Sequence, residues 1–225
     1  MNNNFIERVI NNQFILKEIP KDSSLYDYYK RIKNYSINFI DYHTFLEYMN
    51  SSNLKDTYIE LINKFNKEII ISSDIHGLGH IYRTSLYAFV ISTRERISIS
   101  DFKLLIESVL YHDIGRINDI DDAEHGFNAV KKLEFLKDKY SKEEYNLICF
   151  MIASHCLDDD VANKILDIYY IKAVDKAMKL LFILKDADAL DRVREYPYCD
   201  IHYLRYHSSK RLLLLACILF HSYDG

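Results

Sequence analysis

Six side chains able to bind a metal stand where a helical chain ordinarily places apolar ones. His80 shares a helical face with His76, Arg83 and Tyr87. His112 and Asp113 are adjacent and close an apolar helical stripe. His125 is in phase with Ala129, Leu133 and Leu136, His155 follows Ile148 and Ile152, and Asp188 follows Leu181 and Leu184. Burying an unpaired carboxylate is costly, and buried charges are normally paired or bound to metal. One histidine on an apolar face is ordinarily a core histidine. Four histidines and two aspartates, all near the ends of helical stretches, are explained together by a metal centre. Imidazole and carboxylate donors suit Mn, Fe, Co, Ni or Zn, with Mg a further candidate. No thiolate pattern for a structural zinc site accompanies them. On a helix His112 and Asp113 would point about 100° apart, but at a helix end both reach one cavity, and a carboxylate there can bridge two ions.

The elements that must carry these residues are helices. The chain has 225 residues with only 5 Gly and 2 Pro, which leaves little material for tight turns. Successive helices are expected from about Asp74 to Arg94, from Ser100 or Asp101 to Gly115 as a C-cap, and from His125 to Lys137. Three more follow: one opening on the capping box Ser141-Lys142-Glu143-Glu144, one over Ile171 to Arg192, and one over Ser208 to Phe220. Tyr35, Phe39, Tyr42 and Phe45 recur at helical steps within a tyrosine-rich segment. That segment is expected to pack on the core, a substrate lid or homodimer face being the alternative. No segment alternates with period two. The expectation is an all-α bundle with an N-terminal helical extension over residues 1–70 and the main domain over 71–225.

Composition narrows the function classes. Hydrophobic residues make up 49% and charged residues 28%, so the chain can bury a core. The net charge of −4 has the wrong sign for a non-specific nucleic-acid binder, and phosphate binding then requires a local basic cluster or a metal. Cys149, Cys156, Cys199 and Cys217 form no CxxC pair and are expected to be free buried thiols of a reducing compartment. The first residues lack the apolar stretch of a signal peptide. The longest apolar run, Leu212 to Phe220, is shorter than the roughly 20 residues a bilayer requires. A cytoplasmic protein with no membrane partner is expected.

The order His80, His112-Asp113, Asp188 resembles the H…HD…D signature of the HD-domain superfamily of metal-dependent phosphohydrolases. The local strings are similar as well: Ile75-His76-Gly77-Leu78-Gly79-His80-Ile81-Tyr82-Arg83, Tyr111-His112-Asp113-Ile114-Gly115-Arg116 and Lys185-Asp186-Ala187-Asp188-Ala189-Leu190-Asp191. The resemblance covers about residues 74–220 and implies an HD-domain helical bundle. It implies that His80, His112, Asp113 and Asp188 ligate one ion. It implies further that Asp113 bridges to a second ion held by His125 and His155, as in two-metal members; a single-metal site with core histidines is the alternative. Asp186 or Asp191 would orient ligands, and His76 would orient a ligand or contact substrate, a plain surface helix residue being the alternative.

The chemistry so implied is hydrolysis of a phosphate ester or anhydride by metal-activated hydroxide. The substrate would be a nucleotide or related small phosphate. Asp113 would position the ions, Arg116 and Lys185 would neutralise developing charge, and Arg83, Arg116, Lys185 and Arg192 would bind substrate. Arg194 and Arg205 are further basic candidates, and the acidic run Asp119, Asp121, Asp122 and Glu124 precedes His125. Two other readings remain open: a di-iron HD-type oxygenase cleaving a C–C or C–P bond, and a catalytically silent nucleotide-sensing HD domain.

Overall fold

The computed structural model describes residues 3–223. Among them there are only helices and connecting turns, with no strand. The N-terminal part holds α1 (Asn3–Ile10), α2 (Ser24–Lys33), α3 (Tyr42–Ser51) and α4 (Lys55–Lys64). The remainder holds α5 (Leu78–Arg94), α6 (Ile99–Tyr111), α7 (His125–Val130), α8 (Lys142–Ser154), α9 (Asp159–Ile165), α10 (Val174–Asp191), α11 (His207–Lys210) and α12 (Leu213–Ser222). The all-α expectation holds.

Helix α5 is the axis of the bundle. Every residue from His80 through Ser92 is buried, so it is covered on all sides and is not a surface amphipathic helix. Helix α10 packs along it, α6 lies beside it, α8 closes against α6 and α10, and α7 sits on α8. The N-terminal helices belong to the same apolar core. Helix α3 packs on α5, α4 on α6 and α2 on α12. Polar ties reinforce this: Ile40 N–H donates to the Arg211 carbonyl at 2.9 Å, Lys17 N–H donates to Ser222 Oγ at 2.8 Å, and the Tyr28 hydroxyl donates to the Cys199 carbonyl.

Helix boundaries depart from the sequence expectations for local reasons. Residues 34–41 are not helical, so Tyr35 and Phe39 do not share a helix with Tyr42 and Phe45. Asp41 instead caps α3, its side chain accepting the Thr44 N–H at 2.7 Å. Helix α5 begins at Leu78, not Asp74, because Ser73 Oγ accepts the N–H groups of Ile75 and His76 and holds a turn there. Ser98, rather than Ser100 or Asp101, caps α6. The expected helix 125–137 ends at Val130 and resumes as a 3₁₀ turn over Glu134–Lys139. The C-terminal helix is interrupted between Lys210 and Leu213. Ser141 and Glu144 form the expected capping box of α8.

Gly115 does not end α6, which stops at Tyr111. It lets two backbones meet: a Cβ there would lie 1.9 Å from the His125 carbonyl oxygen and 2.4 Å from the Ala129 nitrogen. Gly115→Ala is therefore expected to push α7 away and to cost about 1–3 kcal/mol, the range for overpacking. Urea unfolding measures the loss. Because α7 begins with His125, metal content should fall in the same variant.

A candidate metal centre at the helix ends

The six residues converge, each delivered by the end of a helix. His80 lies in the first turn of α5, and His112 and His155 follow the last residues of α6 and α8. Asp113 comes next after His112, His125 opens α7, and Asp188 sits in the last turn of α10. Five of the six are at most 5% exposed, whereas the Asp188 side chain is 30% exposed and faces an opening.

The tautomer of each histidine is set by its neighbours. His112 Nδ1 donates to the Val109 carbonyl at 2.7 Å, and His155 Nδ1 donates to the Ile152 carbonyl at 2.6 Å. Both carbonyls belong to the last turn of a helix, where backbone acceptors lack an intrahelical partner. His125 Nδ1 donates to the Asp122 carbonyl, and His80 Nδ1 donates to Asp191 Oδ2 at 2.8 Å. These oxygens can only accept, so all four rings present Nε2 as a lone pair.

Those lone pairs are aimed at one another. His80 Nε2 and His112 Nε2 are 3.2 Å apart, and His125 Nε2 and His155 Nε2 are 2.8 Å apart. Asp113 lies between the two pairs. Its Oδ2 is 3.6 Å from both His80 Nε2 and His112 Nε2. Its Oδ1 is 3.3 Å from His125 Nε2 and 3.6 Å from His155 Nε2. Asp188 Oδ1 completes the first set, 3.4 Å from His80 Nε2 and 3.9 Å from His112 Nε2. Donors bound to one ion at about 2.0–2.2 Å stand about 3–3.5 Å apart, close to the spacing found here.

The charge states suit a cation. Burial pushes the His112 imidazole down to about 3, so the ring is neutral at ordinary pH. Burial lowers His125 as well, and His155 beside it adds to the shift. Burial alone would raise the Asp113 carboxyl, but His112, His155 and His80 around it hold it well below the usual carboxylate range. Asp188 is lowered against burial by His80 and His112. Ionised carboxylates beside imidazole Nε2 atoms form a donor set that fits a divalent ion. These buried His and Asp groups could hold a metal.

The surrounding residues fall into two groups. Arg116 stands at the site: its Nε donates to Asp113 Oδ1 at 3.0 Å and its Nη2 lies 3.4 Å from His125 Nε2. With Asp188, Arg192, Arg194 and His76 it lines a cleft of about 390 Å³, to which the carboxylates of Asp119, Asp121 and Glu195 also contribute. His76 Nδ1 pairs with Asp119 Oδ1 at 2.9 Å, which also accepts from Ser73 Oγ at 2.6 Å, leaving Nε2 as the free ring nitrogen. Two expected phosphate-holding groups are engaged elsewhere. Arg83 is 2% exposed and grips both oxygens of Asp191, Nε at 2.6 Å and Nη2 at 2.9 Å, since its side chain follows α5 toward the end of α10. Lys185 reaches toward α9, bonding the Leu157 carbonyl and Asp159 Oδ1 at 2.6 Å, and does not line the cleft. Arg205 likewise bonds Asp159 and Asp186.

Asp188, not Asp186, reaches the histidines. Asp186 is fully buried on the backbone N–H groups of Arg205 and Tyr206. Asp191, not Asp186, bonds His80, and it carries Arg83 as well. Cys156 was expected to be a buried thiol. It is half-buried instead, and its sulfur lies within 4.8 Å of donor nitrogens of His125 and His155. Its position directly after His155 is the only sequence signal for this.

No family model matches the chain, and no curated protein or solved structure matches it. Its class is accordingly an all-α protein with a buried histidine–aspartate cluster able to hold metal. No helix among the described residues is long and apolar enough to cross a membrane.

Proposed function

We propose that this chain is a two-metal phosphohydrolase of the HD type, acting on a phosphate ester or anhydride of a nucleotide or related small molecule. The observation that carries the reading is Asp113, whose two oxygens face two separate pairs of Nε2 lone pairs. His80, His112 and Asp188 would hold one ion with Oδ2, and His125 and His155 the other with Oδ1. Bound divalent ions would supply Lewis-acid charge on a phosphoryl oxygen and lower the pKa of water.

The chain's own residues do the positioning. Asp191 fixes the His80 ring through Nδ1, and Arg83 fixes Asp191. Arg116 and Arg192 bring guanidinium donors to the cleft beside Asp188, where a phosphoryl group would present its oxygens. His76, oriented by Asp119, offers Nε2 as a substrate-contacting group. A di-iron oxygenase could use the same six donors. Arg116, Arg192 and Arg194 line the cleft together with Asp119, Asp121, Asp188 and Glu195, and these guanidinium groups support a phosphorylated substrate, while oxygen uptake separates hydrolysis from oxygenation.

The test is phosphate release from aryl phosphates and nucleotides by protein loaded in turn with Mn, Fe, Co, Ni, Zn or Mg. Metal-dependent release that disappears with chelator and in His112→Ala supports the reading. Failure with every metal, or oxygen uptake by the iron-loaded protein without phosphate release, contradicts it.

A further inference from the structure

A second depression adjoins the cleft over Asp188, and tyrosines line it. Its volume is about 590 Å³, and it shares Arg192, Tyr196 and Pro197 with that cleft. Consecutive residues of α10 belong to the two spaces: Asp188 lines the cleft and Ala189 lines the depression. One wall is the segment 196–203, with Tyr196, Tyr198 and Tyr203. The other comes from the N-terminal part of the chain, through Tyr28 and Arg31 of α2 and Tyr35 just beyond it.

Two of these rings hold the walls together, and two are left in water. The Tyr28 hydroxyl donates to the Cys199 carbonyl, the Tyr198 hydroxyl bonds Ser24 Oγ at 2.7 Å, and the two rings pack 4.8 Å apart. Tyr196 and Tyr203, by contrast, are 85% and 77% exposed. Rings so exposed contribute little burial to the fold, and aromatic walls around a concave space are the usual lining of a small-molecule site. Arg192, at the boundary of the two spaces, is exposed, and its guanidinium has no hydrogen bond or ion pair among the described residues. The carboxylate on the wall, Asp200, accepts the His202 N–H at 2.9 Å and is outnumbered there by Arg31 and Arg192.

We propose that this depression receives a planar aromatic ring of the substrate, a nucleobase or an aryl group, while the phosphoryl group lies over Asp188. Tyr196, shared by both spaces, and Tyr203 offer exposed ring faces and edges for the ligand ring to pack on. The assignment rests on the phosphohydrolase reading and narrows it to substrates that carry a ring. It also gives the N-terminal helices a share in the site, because α2 builds one wall of the ring pocket.

The probes are phosphonate analogues of AMP and of ribose 5-phosphate, with a methylene group in place of the ester oxygen so that neither is hydrolysed. Calorimetric titration of the metal-loaded protein should show the adenosine phosphonate binding about 5- to 100-fold more tightly than the ribose phosphonate, the range for stacking one base on aromatic side chains. In the double variant Tyr196→Ala, Tyr203→Ala that advantage should be lost, with the ribose phosphonate bound as in wild type and metal content unchanged. Replacing both by Phe should retain it, because the rings remain. Both residues are exposed, so the double alanine variant should melt with the wild type. Benzylphosphonate against methylphosphonate is the second pair, and an advantage there with none for adenosine assigns an aryl group. Equal binding with and without a ring in both pairs, or a ring advantage that survives loss of both tyrosines, would overturn the assignment. So would ring-independent binding by a protein that sediments as a dimer only while both tyrosines are present, which makes the depression a contact between copies. Hydrolysis assays keep the two claims apart. Phosphate release with ring-independent binding sinks this assignment alone. Ring-dependent binding without phosphate release from any ester sinks the hydrolase reading alone.

Discussion

Asp113→Asn is expected to lose both ions and to hydrolyse phosphate esters at least about 10³-fold more slowly than wild type. Oδ2 faces His80 and His112 while Oδ1 faces His125 and His155. An amide keeps one acceptor oxygen and replaces the other with an NH₂ group, which cannot ligate. Whichever way the amide turns, one histidine pair meets donor hydrogens in place of a ligand oxygen. The negative charge between the two positions is lost as well. Metal ions contribute several kcal/mol of transition-state stabilisation, and each 1.36 kcal/mol is a factor of ten in rate. The fold should survive, because the NH₂ can donate to an Nε2 lone pair that the carboxylate could not satisfy. Circular dichroism should show unchanged helix content, and elemental analysis should show the lost metal. A fully active, fully loaded Asp113→Asn protein would remove Asp113 from the centre.

Asp191→Asn is expected to have the largest effect on stability, about 3–5 kcal/mol at neutral pH. Asp191 and Arg83 are both buried, and breaking a buried pair from one side leaves the other charge uncompensated. Burial alone would raise the Asp191 carboxyl, but Arg83 and His80 hold it well below its usual range. A depressed carboxylate pKa contributes stability that is present above the unfolded value of about 3.9 and lost as the pH falls through the folded one. The gap between wild type and variant should therefore be full at pH 7 and narrow below about pH 4, as urea unfolding at the two pH values would read. Metal affinity should fall too, by about 10–100-fold, because His80 loses the carboxylate that fixes its ring. Replacing Arg83 by Met in the same chain should recover part of the stability but not the metal affinity. A recovery of both would mean that Asp191 acts on the metal only through the stability of the fold.

The helical class and the candidate ligands were legible because each departs from a pattern. Apolar residues at helical spacing name the helices, and a histidine or aspartate in such a stripe stands out. Helix phase separated Asp188 from Asp186 for the same reason: Asp188 continues the stripe of Leu181 and Leu184. What stayed hidden depends on distant partners. Nothing near Arg83 or Lys185 in the chain tells that one would be taken by Asp191 and the other by Asp159. That the Arg194 side chain is almost wholly buried is likewise invisible in the sequence. Helix ends were displaced by side chains two or three residues away, such as Ser73, Asp41 and Ser98. Gly115 was recognisable as a special position, but its reason is the backbone of His125 lying against it, which only the fold supplies.

The central claim is that one carboxylate joins two metal positions in a helical bundle. Metal content per chain tests it most directly, measured by elemental analysis after add-back of Mn, Fe, Co or Ni and removal of free metal. The account predicts close to two ions per chain in the wild type and close to one in His125→Ala. A wild-type protein that takes up none of these metals, or a His125→Ala protein with the same content as wild type, would contradict it.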